Sequence, residues 1–79
     1  MENLAKLLKN VPAGTQLYSP IFGNVYLNKI VEDIGIHVNI YRPNSSVIEA
    51  FMYDGKYDIC GECMLFPSKE NRDWENFNK

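Results

Sequence analysis

The chain has 79 residues, which is enough for one domain and too few for two independent hydrophobic cores. Hydrophobic residues make up 46% of it and charged residues 23%, and these proportions argue against a disordered chain. Eight basic residues stand against ten acidic ones, so the formal net charge of −2 argues against a dedicated nucleic-acid-binding protein.

The sequence also lacks the patterns that direct a chain into or across a membrane. No apolar run approaches the roughly 18 residues that span a bilayer, and the first residues lack the basic and apolar regions of a secretory signal. Two cysteines are too few for a secreted scaffold with several disulfides. We therefore expect a single-domain protein of the cytoplasm without membrane association.

The first residues predict a short amphipathic helix. Asn3 is placed to cap this helix at its N-terminus. Pro12 disfavours helix at the residue before it, and Gly14 permits the turn that follows. The apolar stripe that would pack on the rest of the protein consists of Leu4, Leu7, Leu8 and Val11.

From residue 15 onward, the pattern changes to short strands separated by turn residues. Predicted strands cover residues 15–18, 24–31, 36–41, 47–52 and 63–66. In the second strand, Val25 and Leu27 share one face. The opposite face carries Tyr26, Asn28 and Ile30. In the third strand, His37 points outward, and the core-facing residues are Ile36, Val38 and Ile40. Glu49, in the fourth strand, is predicted to be exposed.

Together these elements predict an α+β fold, mostly β, in one domain over residues 1–79. A helix and linker cover residues 1–13, about five antiparallel strands close into a small SH3-like barrel over residues 14–67, and a short C-terminal helical turn covers residues 68–79. Trp74 and Phe77, three residues apart, share one face of that turn. The alternative is an open antiparallel sheet with both helical ends packed on one face.

Two segments carry a resemblance to a known family. They read GTQLYSPIFG over residues 14–23 and GECMLFPSK over residues 61–69, with NRDW over residues 71–74 and Phe77 after them. The chain resembles, over nearly its whole length, a family of small uncharacterised proteins common in anaerobic gut bacteria and their mobile elements. This resemblance implies no activity or ligand.

A second similarity concerns the fold alone. The segment PIFGNV over residues 20–25 is similar to the loop that opens the Tudor-like barrels appended to some helicases and transcription-repair proteins. Those barrels usually carry a second glycine two residues after the first, where Val25 stands here. The similarity therefore implies a small SH3-like barrel and no shared site.

Cys60 and Cys63 form a C-x-x-C motif, the pattern of many redox pairs. Here the motif leads into a predicted strand, in which residues three apart lie roughly 10 Å from each other. Asp58 and Glu62 would also disfavour a thiolate. We expect structural cysteines, with Cys63 packed on the same face as Leu65. A redox pair is a less favoured alternative, and a metal site shared between chains is a third.

No other motif predicts catalysis. His37 is the sole histidine, and none of the serines lies in a nucleophile motif. We therefore expect no catalytic residues, no metal, no cofactor and no enzymatic activity. The basic residues are scattered among acidic ones, but folding could gather some of them, so an accessory nucleic-acid-binding protein remains the alternative function.

The segment over residues 18–23 is the strongest candidate for a binding site. It carries two aromatic residues, an isoleucine and a proline, and is more apolar than a solvated loop needs to be. Two arrangements are open: Ile21 and Phe22 plug the end of the barrel, or they form an exposed contact patch. We predict a protein-interaction module that binds an unidentified protein and is a monomer or weak homodimer. The predicted binding residues are Tyr18, Phe22, Tyr53 and Trp74. Trp74 has a second interpretation, in which it closes the bottom of the barrel with Phe77.

Overall fold

A computed structural model of the chain describes residues 3–57 and 61–77. Helix α1 spans Leu4–Leu7, and a 3-10 helix spans Trp74–Asn76. Strands β1 to β4 span Gln16–Ser19, Gly23–Asp33, Gly35–Tyr41 and Ile48–Met52. Each strand pairs antiparallel with the next, so the four form one sheet in the order β1-β2-β3-β4. The prediction of a small, mostly β fold with a short N-terminal helix is confirmed.

Helix α1 is shorter than predicted but begins at the predicted residue. The Asn3 side chain accepts a hydrogen bond from the Lys6 backbone N–H at 3.0 Å, as expected of an N-cap. A helix this short is not stable alone, and its packing explains why it forms. Leu4 and Leu8 are fully buried, and the backbone N–H groups of Leu4 and Ala5 donate to the carbonyl oxygen of Tyr53. These bonds anchor α1 to the turn after β4.

The core lies against one face of the sheet, which we call the inner face. Alternating residues of the strands point into it, because successive side chains of a strand lie on opposite faces. Helix α1, Leu65 and Trp74 cover this face. The buried strand residues are Leu17, Val25, Leu27, Val38, Ile40 and Phe51.

Strand β2 contains a bulge that reverses its alternation. Leu27 pairs with Ile40 and Lys29 pairs with Asn39, so Asn28 is an extra residue without a counterpart on β3. After the bulge, Ile30 lies opposite Val38 and packs against the core. The prediction that Ile30 faces away from Val25 and Leu27 is therefore wrong. It requires side chains to alternate between the two faces along the whole strand, and the bulge interrupts that alternation.

The end of the β2–β3 hairpin extends beyond the core. Val38 and Ile40 are buried as predicted, and His37 lies on the opposite face. The predicted burial of Ile36 is wrong, because Ile36 pairs with Glu32 near the turn and its side chain is exposed. At the turn itself, 91% of Ile34 is exposed.

Glu49 is half-buried, so its predicted exposure is also wrong. It follows the inward alternation of β4, two residues before the buried Phe51. Its carboxylate lies 2.8 Å from Arg42 Nε and accepts a hydrogen bond from the Tyr57 hydroxyl, also at 2.8 Å. These two partners explain how a carboxylate is accommodated at the margin of the core.

The predicted fifth strand over residues 63–66 is not a regular strand. Two isolated bridges form there, between Tyr18 and Phe66 and between Lys56 and Cys63. Each bridge joins the segment to a different neighbour, so no continuous ladder forms. The four strands are one open sheet, and closure of that sheet into a barrel is not confirmed.

Candidate functional site

The loop between β1 and β2 divides its two large apolar residues between the core and the solvent. The Phe22 ring contacts Phe51 and Tyr57 edge-on, at centroid distances of 6.2 and 5.3 Å. The Arg42 guanidinium lies 4.8 Å from the centroid of the same ring. Ile21 points outward and is exposed. The packing of Phe22 therefore fits the arrangement in which it points inward as a plug. The exposure of Ile21 fits the arrangement in which it belongs to a contact patch.

Tyr18 lies on the face of β1 opposite the core, since its neighbours Leu17 and Ser19 are both fully buried. It faces Phe66 across the isolated bridge, with reciprocal backbone hydrogen bonds of 2.8 and 2.7 Å. The Arg72 guanidinium lies over both rings. Its Cζ atom is 5.7 Å from the centroid of the Tyr18 ring and 4.9 Å from that of the Phe66 ring. Tyr18 is therefore half-covered by Arg72 rather than freely exposed.

The other two predicted binding residues lie in different environments. Trp74 is buried, and its indole N–H donates to the carbonyl oxygen of Leu65 at 2.9 Å. Its ring centroid lies 5.0 Å from that of Phe77, so the two rings pack together beneath the core. Tyr53 is exposed in the turn after β4. The structure does not gather Tyr18, Phe22, Tyr53 and Trp74 into one exposed patch.

Several basic side chains already have partners within the described residues. Arg42 pairs with Glu49 at 2.8 Å, and Lys56 Nζ lies 3.7 Å from Asp54 Oδ2. Arg72 lies over two aromatic rings. Nucleic-acid binding needs several cations directed at phosphates, so these contacts count against the alternative function.

The C-x-x-C motif is described only in part, because Cys60 lies outside the described residues. Cys63 packs against the core, and its thiol donates to the Leu65 carbonyl oxygen at 3.2 Å. Burial raises the pKa of the Cys63 thiol above its usual 9.0; a backbone hydrogen bond with Leu65 opposes this shift, and the charge of Asp54 adds to it. A raised pKa makes Cys63 a poor nucleophile, but the attacking thiol of a C-x-x-C redox pair is the first cysteine, so this shift bears on Cys63 alone.

The largest concentration of exposed apolar side chains lies elsewhere, on the face of the sheet away from the core. We call it the outer sheet face. Strand pairing arranges its residues in rows that cross β2, β3 and β4. The three complete rows are Tyr26–Tyr41–Ile48, Lys29–Asn39–Ala50 and Val31–His37–Met52, and Asp33 follows Val31 on β2.

The exposure of these rows is unusual for a sheet with one solvated face. Such a face is normally polar, with hydrophobic residues confined to the other. Here the exposed fractions of Tyr26, Ile48 and Met52 are 36%, 46% and 38%. Tyr41, between Tyr26 and Ile48, and Val31, beside His37, are half-buried. The outer sheet face therefore exposes apolar side chains in two rows, with Lys29, Asn39 and Ala50 between them.

This surface is not among the predicted binding sites, although the sequence carries a signal for it. In a strand with one buried face, the outward positions should be polar, yet outward positions of β2, β3 and β4 carry Tyr, Val, Ile and Met. The bulge at Asn28 hid the signal, because it moves Val31 to the outer face and Ile30 to the inner one. Only the observed register brings the rows together.

Within residues 3–57 and 61–77, no three His, Cys, Asp or Glu side chains are grouped so that they could hold a metal ion. The same residues form no helix with the length and apolar character needed to cross a bilayer. No protein-family model, curated protein or solved structure matches the chain.

Proposed function

We propose that the protein is a non-catalytic interaction module that binds another protein chain through its outer sheet face. The observation that carries this proposal is the pair of rows Tyr26–Tyr41–Ile48 and Val31–His37–Met52, which expose apolar side chains on the face opposite the core. The row of Lys29, Asn39 and Ala50 lies between them, and exposed apolar groups clustered among polar ones are typical of a protein contact site. The function is the one predicted from the sequence, but the contact surface is the outer sheet face rather than the β1–β2 loop.

The residue types of the outer sheet face support a protein partner. Tyrosine concentrates binding energy in interfaces, because its ring buries a large apolar area while few rotatable bonds are ordered. Tyr26 and Tyr41 lie directly opposite each other on β2 and β3, so one partner group can cover both rings. Lys29 and Asp33 border this apolar area with charge, as a polar rim does in many interfaces.

A pair of matched double variants tests the proposal. Tyr26→Ser with Ile48→Ser removes two exposed apolar groups from the outer sheet face. Ile21→Ser with Val47→Ser removes two groups of similar exposure, 43% and 48%, that lie outside that face. Both variants should fold, since none of the four side chains belongs to the buried core.

Each variant, tagged, is used for affinity capture from its native cells, and the captured proteins are identified by mass spectrometry. We expect the wild type and the Ile21/Val47 variant to capture the same proteins, and the Tyr26/Ile48 variant to lose at least one of them. Identical captured proteins for all three, with native circular dichroism spectra, would exclude the outer sheet face as the binding site.

We also retain the SH3-like barrel as part of this proposal. The bridge between Tyr18 and Phe66 and the hydrogen bond from Met64 N–H to the Gly55 carbonyl at 2.9 Å support it, because they join residues 63–66 to β1 and to the turn after β4. Amide hydrogen exchange tests closure. If it is persistent, the amides of Met64 and Phe66 exchange as slowly as those of the core strands.

A further inference from the structure

We propose that the outer sheet face binds a second copy of this chain, in a two-fold symmetric dimer whose sheets pack face to face. This inference rests on the proposed function, because it names the partner for the same surface. The reason to choose a second copy is that the charges of this face are arranged to complement themselves under a two-fold rotation.

The complementarity lies on strand β2. Lys29, Val31 and Asp33 all point outward after the bulge. A cation therefore lies two residues before Val31, and an anion lies two residues after it. At about 3.3 Å per residue, each charge is roughly 7 Å from Val31 along the strand. Lys29 and Asp33 are both exposed, whereas Val31 is half-buried.

The two-fold axis lies in the plane between the two sheets. It runs perpendicular to the strands, directly above the Val31–His37–Met52 row. It places β2 of one copy antiparallel above β2 of the other, crossing at Val31. Lys29 of each copy then lies over Asp33 of its partner, which forms two equivalent ion pairs. A symmetric interface repeats every contact in this way, so one strand with charges of opposite sign at equal spacing is sufficient.

The same rotation places the apolar residues against each other. The Val31–His37–Met52 row lies on the axis and meets its own counterpart. Ile34, which is 91% exposed at the turn of the β2–β3 hairpin, extends toward the Tyr26–Tyr41 row of the second copy. The exposure of an isoleucine at the end of a hairpin that projects beyond the core is then explained by the partner that covers it.

The size of the surface predicts a weak dimer. Under this rotation β4 meets its counterpart only at Met52, where the strand ends on the axis. The contact is therefore made by two strands spaced by about 4.8 Å, over six or so residues of about 3.3 Å each, and measures roughly 10 by 20 Å. This is smaller than the surface of about 800 Å² that each partner buries in a typical stable complex. We therefore expect a dimer that dissociates on dilution.

Charge reversal at the two positions tests the geometry. Lys29→Glu and Asp33→Lys should each weaken dimerisation about tenfold or more, because each places like charges together twice. The double variant Lys29→Glu with Asp33→Lys should dimerise like the wild type. An equimolar mixture of the two single variants should form a heterodimer, since all its cross-pairs are again of opposite sign. Lys69→Glu and Glu70→Lys are the controls, as both residues are exposed and lie outside the outer sheet face.

Sedimentation velocity of the full chain measures the dimer fraction from about 10 μM to about 1 mM, the range in which a weak complex dissociates. Loss of the dimer in the single variants, with recovery in the double variant and in the mixture, supports the proposal. A dimer that responds equally to all charge variants would lie on another surface and overturn it. A wild type that stays monomeric throughout would also overturn it. In that case, loss of captured proteins in the Tyr26/Ile48 variant would still uphold the proposed function with a different protein as the partner.

Discussion

The indole N–H of Trp74 donates a hydrogen bond of 2.9 Å to the carbonyl oxygen of Leu65. The Cys63 thiol donates to the same oxygen at 3.2 Å. One backbone carbonyl thus joins the segment over residues 63–66 to the C-terminal 3-10 helix. The strand pairing of that segment with β1 consists of one isolated bridge. Both Leu65 and Trp74 are buried, so these bonds are shielded from water and help to hold the segment over the inner face of the sheet.

The first prediction concerns this hydrogen bond. Trp74→Phe keeps an aromatic ring but removes the donor and part of the buried volume. We expect the free energy of unfolding to fall by about 2 kcal/mol, from a lost hydrogen bond and a small cavity. Urea denaturation followed by circular dichroism measures the change, since Trp74 is the sole tryptophan and its fluorescence is lost. A loss below about 0.5 kcal/mol would mean that the indole contributes little to stability.

The second prediction concerns Gly55, whose φ of +87° disfavours any other residue. A Cβ at this position would lie 2.5 Å from Cys63 Sγ and 2.7 Å from Leu4 Cδ1. We expect Gly55→Ala to destabilise the protein by about 3 kcal/mol, through backbone strain and overpacking. Adding Cys63→Ala should restore part of this loss, because it removes one of the two clashes.

Gly61→Ala is the control for that substitution. A Cβ at Gly61 meets no described atom within 4 Å. Thermal unfolding of the variants compares them directly. Equal melting temperatures for Gly55→Ala and Gly61→Ala would show that Cys63 and Leu4 do not approach Gly55 as described.

The third prediction separates the two contacts of Glu49. Glu49→Gln removes the charge that pairs with Arg42 but keeps an oxygen that can accept from the Tyr57 hydroxyl. Because Arg42 is about half-exposed, we expect this variant to lose only about 0.5 kcal/mol. Glu49→Ala removes both contacts and should lose about 2 kcal/mol. Chemical denaturation measures both, and equal losses would contradict a separate contribution from Tyr57.

The fourth prediction follows from the raised pKa of the Cys63 thiol. Well below pH 9.0, this thiol is neutral in both the folded and the unfolded chain, so its contribution to stability is constant. Above that pH, the unfolded chain loses the thiol proton first, and stability falls until the pH passes the folded pKa. We expect Cys63→Ala to show a shallower loss of stability at alkaline pH than the wild type. Urea denaturation at a series of pH values measures it.

Thiol titration provides an independent check of the same shift. In a Cys60→Ser background, the pH dependence of the rate of alkylation by iodoacetamide reports Cys63 alone, because the chain has two cysteines and the thiolate is the reacting form. The apparent pKa should lie above 9.0. A value below 7 would contradict the burial of the Cys63 thiol. The redox interpretation would instead require a pKa below 7 for Cys60 together with reversible disulfide formation.

Local patterns predicted much of the fold. The apolar stripe from Leu4 and the Asn3 cap predicted α1, and the alternation of Val38 and Ile40 predicted β3 and its buried face. These features depend on neighbours within a few residues along the chain, so they can be derived without the tertiary structure. The protein-interaction function was also predicted, but on the β1–β2 loop rather than the outer sheet face, and it remains a proposal.

The errors share a physical cause. The bulge at Asn28 reversed the face of Ile30, although nothing in strict alternation indicates an extra residue. Ile36 lies on the same face of β3 as the buried Val38 and Ile40. It is exposed because the β2–β3 hairpin extends beyond the residues that cover this face. Glu49 is accommodated near the core by Arg42 and Tyr57, which approach from other segments. In each case, the outcome depends on an added residue or on which distant segment covers the position, and the local pattern contains neither.

By itself, then, the sequence determined the element types, the residue that begins the helix and most of the core, because hydrophobic periodicity and capping act over short distances. Only the tertiary structure decided which apolar side chains remain exposed. Strand pairing and the bulge together place Tyr26 beside Tyr41 and Val31 beside His37 on one face. That register depends on hydrogen bonds between strands, and no local pattern specifies it.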